Sequence, residues 1–242
     1  MSTDISPTEL SPATADPNLL RYRRFAPATL VAGPLILAVA ELIHPRVGGY
    51  TSVDVARALP GHTGPWKIWA ALLILGAAVA VPGLLRLFRV VTSRGVVMTT
   101  VGVVLAVGSA IGAAGFAVAS SQLAGLVGNG PLDPAVATAI SQTEDDLSSV
   151  VSIILFLFGS ALGWPLLLAG AARAGLARHW QWMAAVVASV AMFVGSGTFP
   201  WAEPIGLVVI AVAVAPTALR LTHISSQRTE LPARTDEAGS QR

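Results

Sequence analysis

The chain has 242 residues, 54% of them apolar and only 12% charged, with a mean hydropathy of +0.70. A soluble domain carries about 25% charged residues, so this composition excludes a water-facing globule and, with it, a soluble enzyme. The absence of cysteine excludes disulfides, thiolate metal sites and cysteine nucleophiles, and a net charge of +2 builds no groove for nucleic acid.

Residues 1–24 are polar and rich in Pro, Ser and Thr, and they end in Arg21, Arg23 and Arg24. Such a stretch buries too little apolar surface to offset chain entropy, so it is expected to be a disordered tail. Six apolar runs follow: Phe25–Ile43, Pro65–Leu87, Val96–Gly115 or somewhat beyond, Leu147–Ala169, Trp180–Thr198 and Ile205–Leu221. Each is close to the roughly 20 residues that a helix needs to cross a hydrocarbon core. None shows the short alternating pattern of a barrel strand. The expected fold is therefore all-α, a polytopic bundle of six transmembrane helices over residues 25–222. Residues 223–242 return to tail composition.

Arginine sets the orientation. With the N-terminal tail inside, only Arg46, Arg57 and Lys67 of the 15 basic residues fall on the outer side. That bias obeys the positive-inside rule, places both termini in the cytoplasm and implies a multi-pass protein of the cell (inner) membrane. Trp66, Trp69, Trp180, Trp182 and Trp201 lie at span ends, where indoles anchor in the headgroup layer. Pro34, Pro82, Pro165 and Pro216 each remove a helix donor and are expected to kink or end their helices. Gly108-x-x-x-Gly112 and Gly159-x-x-x-Gly163 permit close helix approach. Packing within the chain is the simpler use of these glycines, and a homo-oligomer through either pair is the sharper one.

No catalytic fingerprint is present: there is no nucleophile elbow, no P-loop, no His-Glu-x-x-His and no dinucleotide glycine motif. What remains is an asymmetry, because every acid outside the tails falls at or near the outer face. Glu41 is the most informative, being the one ionisable side chain held inside an apolar run away from its flanks. Facing lipid, it would cost a few kcal/mol, so it is expected to point inward and find a partner. Glu41 and His44 lie on adjacent turns of one helical face. A single Glu-x-x-His pair is not a metal site, even with His62 and Asp54 in the following loop, so no metal or cofactor is expected.

The Glu144-Asp145-Asp146 cluster has a structural explanation in Ser141-x-x-Glu144, a capping-box spacing, or in a helix begun earlier at Asp133-Pro134. Its other reading is an acidic rim. Glu203 is likewise expected at the start of the last span. The candidate vestibule thus comprises Glu41, His44, Glu203, Asp145, His62, Trp66, Trp69 and Trp201. Two functions compete for it. One is a binding, transport-related or accessory membrane protein with an acidic outward vestibule, for a hydrophobic or cationic small molecule. The other is a membrane-embedded enzyme acting on a lipid or isoprenoid by acid catalysis, with Glu41 or Glu203 as the acid and tryptophan faces steadying cationic centres.

Overall fold

Backbone immersed in hydrocarbon satisfies its N–H and C=O groups only within a helix or a closed barrel, so long apolar runs leave little choice of architecture. The computed structural model describes residues 17–46, 52–92, 94–128, 130–143, 147–195 and 199–230, and every element among them is an α-helix. In chain order these are α1 (Pro17–Ile43), α2 (Ser52–Ala58), α3 (Thr63–Val90), α4 (Val96–Val127), α5 (Pro134–Thr143), α6 (Leu147–Arg173), α7 (His179–Gly195) and α8 (Ala202–Glu230). Five carry stretches long and apolar enough to cross a membrane: Phe25–Ile43, Thr63–Val90, Val96–Val127, Val150–Arg173 and Ala202–Ile224. The protein is an all-α membrane bundle.

The expected fifth span differs from these. The described α7 has 17 residues, about 25 Å at 1.5 Å per residue, slightly short of a typical hydrocarbon core. Residues 196–198 of that span lie outside the described residues. Both ends of the chain also depart from expectation: α1 begins at Pro17 and α8 runs to Glu230, so part of each polar tail is helical. Extending an existing helix is cheap compared with nucleating one, and Pro suits a first helical position. Residues 1–16 and 231–242 lie outside the described residues.

Pro34, Pro82, Pro165 and Pro216 sit inside α1, α3, α6 and α8 without ending any of them. Packed neighbours and local adjustment re-satisfy the freed carbonyls in membrane helices. The loop helix α5 starts as the Asp133-Pro134 reading required, with Asp133 Oδ1 accepting the Ala135 N–H at 2.7 Å. Ser141 is not an N-cap. It lies within α5 and donates to the Thr138 carbonyl at 2.8 Å, which removes the capping-box reading.

The helices close a ring: α1 packs on α3 and α8, α3 on α4, α4 on α6, α6 on α7, and α7 on α8. Without a hydrophobic force between lipid-immersed helices, close contact depends on small residues. Accordingly, Ala80, Ala106, Ala171, Ala185 and Ala213 are buried, while Val104, Ile111, Phe158, Val187 and Leu219 face outward. The tightest seam joins α4 to α6. A methyl group added at Gly102 or Gly159 would meet the backbone of Leu167 or Leu105, and one at Gly112 or Gly163 would meet Ser152 or Ala106. Three of the four motif glycines therefore pack within the chain; Gly108 has more room, facing Leu155.

At the end of the bundle carrying both chain termini, Gln181 ties α7 to α8. Its Nε2 donates to the Ala213 carbonyl and to Thr217 Oγ1, and its Oε1 accepts the Arg178 N–H. Gly175, at φ +77°, ends α6 in the left-handed conformation that glycine adopts without strain. Buried side chains of α1, α3, α4, α6, α7 and α8 fill this half of the ring. The opposite half has a second cluster built from α1 to α5, and none of its described members comes from α6, α7 or α8. Helices α2 and α5 pack on one another over the end of α4 there, roofing one side only.

The α4–α6 seam makes a direct prediction. Gly159→Ala should cost about 1–3 kcal/mol through overpacking, read as a lower unfolding temperature in detergent. Gly125→Ala, where nothing lies within 4 Å, should leave stability unchanged or raise it by up to about 1 kcal/mol. Equal behaviour of the two variants would contradict the packing described.

Candidate functional site

The last turn of α1 carries Glu41, and the chain leaves the helix through His44, Pro45 and Arg46. Glu41 is buried, as its place in an apolar run requires. Trp69 of α3 donates its indole N–H to Glu41 Oε1 at 3.2 Å. From the first turn of α8, Glu203 brings a second carboxyl near the same group.

His44 lies over this pair. Its ring stacks on Trp69 with centroids 4.3 Å apart and leans on Trp66 at 5.3 Å. Burial, helped by the nearby Arg46 charge, lowers the imidazole from 6.5 to about 4, so His44 is neutral at pH 7. Its Nδ1 lies 3.8 Å from Glu41 Oε2, which is a contact of a neutral ring with a carboxyl rather than an ion pair.

Trp66 and Trp69 are buried, at 5% and 3% exposure, and pack on one another with centroids 5.1 Å apart. The expectation that both anchor in the headgroup layer is thereby corrected. One helical turn apart on α3, they share a face, and the acid on α1 gives the indole N–H of Trp69 a partner that lipid does not offer. Trp66 donates instead to the Ser120 carbonyl of α4 at 3.0 Å. The aromatic wall continues from Trp69 to Phe116 of α4 at 5.9 Å, edge to face, and from Phe116 to Phe156 of α6 at 6.4 Å. Trp180 and Trp201, at 45% and 53% exposure, keep the outward setting expected of an interface indole.

Arg46 closes the arrangement. Its guanidinium donates to the Pro200 carbonyl and lies 5.8 Å from the centre of the Trp201 ring, joining the end of α1 to the start of α8.

The structure thus brings together Glu41, His44, Glu203, Trp66 and Trp69, with Trp201 joined through Arg46. His62 is exposed at the N-terminal boundary of α3, apart from the cluster. Asp145 and its neighbours Glu144 and Asp146 lie outside the described residues. Phe116, Ser120 and Phe156 carried no sequence signal, being ordinary members of apolar runs. Arg46 carried one, as a basic residue two positions beyond His44. Among the described residues, no three His, Asp or Glu side chains gather in a metal-binding group. Compared with known protein families, curated proteins and solved structures, the chain matches none.

Because folding lowers the His44 pKa, the unfolded chain binds more protons than the folded one between about pH 6.5 and 4. This contribution leaves stability intact above 6.5 and removes it progressively as pH falls towards 4. The other ionisable groups facing His44, namely Glu41, Glu203 and Arg46, are common to wild type and variant. Thermal unfolding of wild type and His44→Phe across this window should therefore diverge, with the variant flatter. Parallel curves would refute a buried neutral imidazole.

Proposed function

We propose that this membrane protein binds an apolar organic cation at the end of the bundle opposite the termini, as the recognition step of transport. The observation that carries the reading is the setting of Glu41: a buried carboxyl among Trp66, Trp69, His44 and Phe116, beside a second carboxyl. Two acids select for positive charge, and aromatic faces attract a cation by about 0.5–2 kcal/mol, more when water is excluded. A hard metal ion would find too few oxygen ligands in this wall.

A cation enters between Glu41 and Glu203 and takes over the place of the Arg46 charge beside them. The arginine bias supports an outward-facing site in a multi-pass protein of the cell membrane with both termini inside. Acid catalysis on an isoprenoid is less well supported, because Trp69 and Glu203 already engage the carboxyl that would have to protonate the substrate.

Tetraphenylphosphonium is a suitable probe, being a delocalised cation with aromatic faces. Equilibrium dialysis against the detergent-purified protein should show saturable binding. Glu41→Gln should weaken it at least about ten-fold, a difference of roughly 1.4 kcal/mol, while keeping the Trp69 hydrogen bond and the unfolding temperature. Equal affinity of the two proteins, or no saturable binding by either, would overturn the proposal. A parallel loss of stability would assign Glu41 a structural role instead.

A further inference from the structure

The opposite end of the bundle has a different chemistry that neither the fold nor the cation site uses. Arg89 closes α3, Arg94 sits in the α3–α4 turn, Arg173 closes α6 and Arg178 sits in the α6–α7 turn; all four are exposed. The two turns are held together. Gly95, at φ +88°, lies against the Gly170 carbonyl and the Arg173 side chain, which brings the turn carrying Arg94 onto the end of α6. Arg220 of α8 then donates from one guanidinium nitrogen to the Gly175 and Leu176 carbonyls, both at 3.2 Å, placing a fifth positive charge at the turn that leads to Arg178.

No described carboxylate balances this group. Glu41, Asp54, Asp133 and Glu203, the acids whose side chains are described, all belong to the other end. Like charges gathered on two adjoining turns repel within a Debye length of about 8–10 Å unless an anion lies between them. The depth of the group is marked by Trp180, half-exposed next in chain but one to Arg178, where an indole favours the headgroup layer. Guanidinium groups match phosphate oxygens in two-point hydrogen bonding, which a lysine ammonium does not.

We propose that the arginines of the α3–α4 and α6–α7 turns form a binding site for the phosphate headgroup of an anionic phospholipid. The lipid's acyl chains lie along the apolar outer faces of α3, α4 and α6, and its phosphate bridges Arg94 and Arg173, with Arg89 and Arg178 on either side. The site is independent of the cation site and stands or falls separately from it.

The test uses the full chain in a neutral detergent, with dioleoylphosphatidylglycerol, dioleoylphosphatidylcholine or soluble glycerol phosphate added. Bound lipid is counted by native mass spectrometry and stability is followed by thermal unfolding. The expected result is retention of phosphatidylglycerol with a raised unfolding temperature, and neither effect from phosphatidylcholine or glycerol phosphate. Arg94→Gln and Arg178→Gln should each weaken phosphatidylglycerol binding about five-fold, the loss of one surface charge near an anionic headgroup. Both residues are exposed in turns, so both variants should fold. Arg94→Lys should lose affinity as well, because it keeps the charge but not the two-point contact. Equal retention of the two lipids, an equal effect of glycerol phosphate, or wild-type affinity in both Gln variants would overturn the proposal.

Discussion

One carboxyl organises one end of this molecule. Glu41 sits in the last turn of a membrane helix, where an acid facing lipid would cost a few kcal/mol. Turning it inward transfers the problem to the neighbours, which must supply polar partners where the chain has few. Trp69 supplies an N–H, and Glu203 brings a second carboxyl nearby. The acid therefore fixes α1 against both α3 and α8 at that end. Once α1 is set, His44 falls onto the Trp66–Trp69 pair and Arg46 reaches Pro200 and Trp201.

The two halves of the bundle are held by different physics. The half with the chain termini is filled by leucine, valine and alanine side chains around Trp164 and Ile210, with Gln181 satisfying three polar groups beside α7 and α8. Close backbone approach at the α4–α6 glycines brings these side chains together. The other half holds the buried Glu41 with Trp66 and Trp69, and the described members of its buried apolar cluster come from α1 to α5 and the turn after α2.

Much of this is legible in the sequence because lipid restricts the options. Five of the six spans follow from long apolar runs, and Glu41 stands out because nothing else ionisable lies inside one away from its flanks. Its pairing with Glu203 was only half legible: both residues map to one end, but a carboxyl at a helix start reads equally well as a cap. Trp66 and Trp69 are harder, since an indole at a span end is as much at home in the headgroup layer as against a buried acid. Their burial follows from the partner on α1, which is a tertiary fact. Phe116 and Phe156 are invisible for the same reason, as aromatic rings in apolar runs carry no mark of what they face. The helical stretches at 17–24 and 223–230 were hidden by polar composition, which reports on burial and not on whether a formed helix continues.

The account depends on the Glu41 carboxyl being protonatable, enclosed by aromatic rings and open to a cation from one end. Labelling with dicyclohexylcarbodiimide, which adds to protonated carboxyls in apolar surroundings, measures this directly when the modified residues are mapped by mass spectrometry. Glu41 or Glu203 should be labelled, while the exposed Asp133 should remain unmodified, and tetraphenylphosphonium should slow the reaction. Labelling that ignores the cation, or that spares both glutamates, would contradict the account.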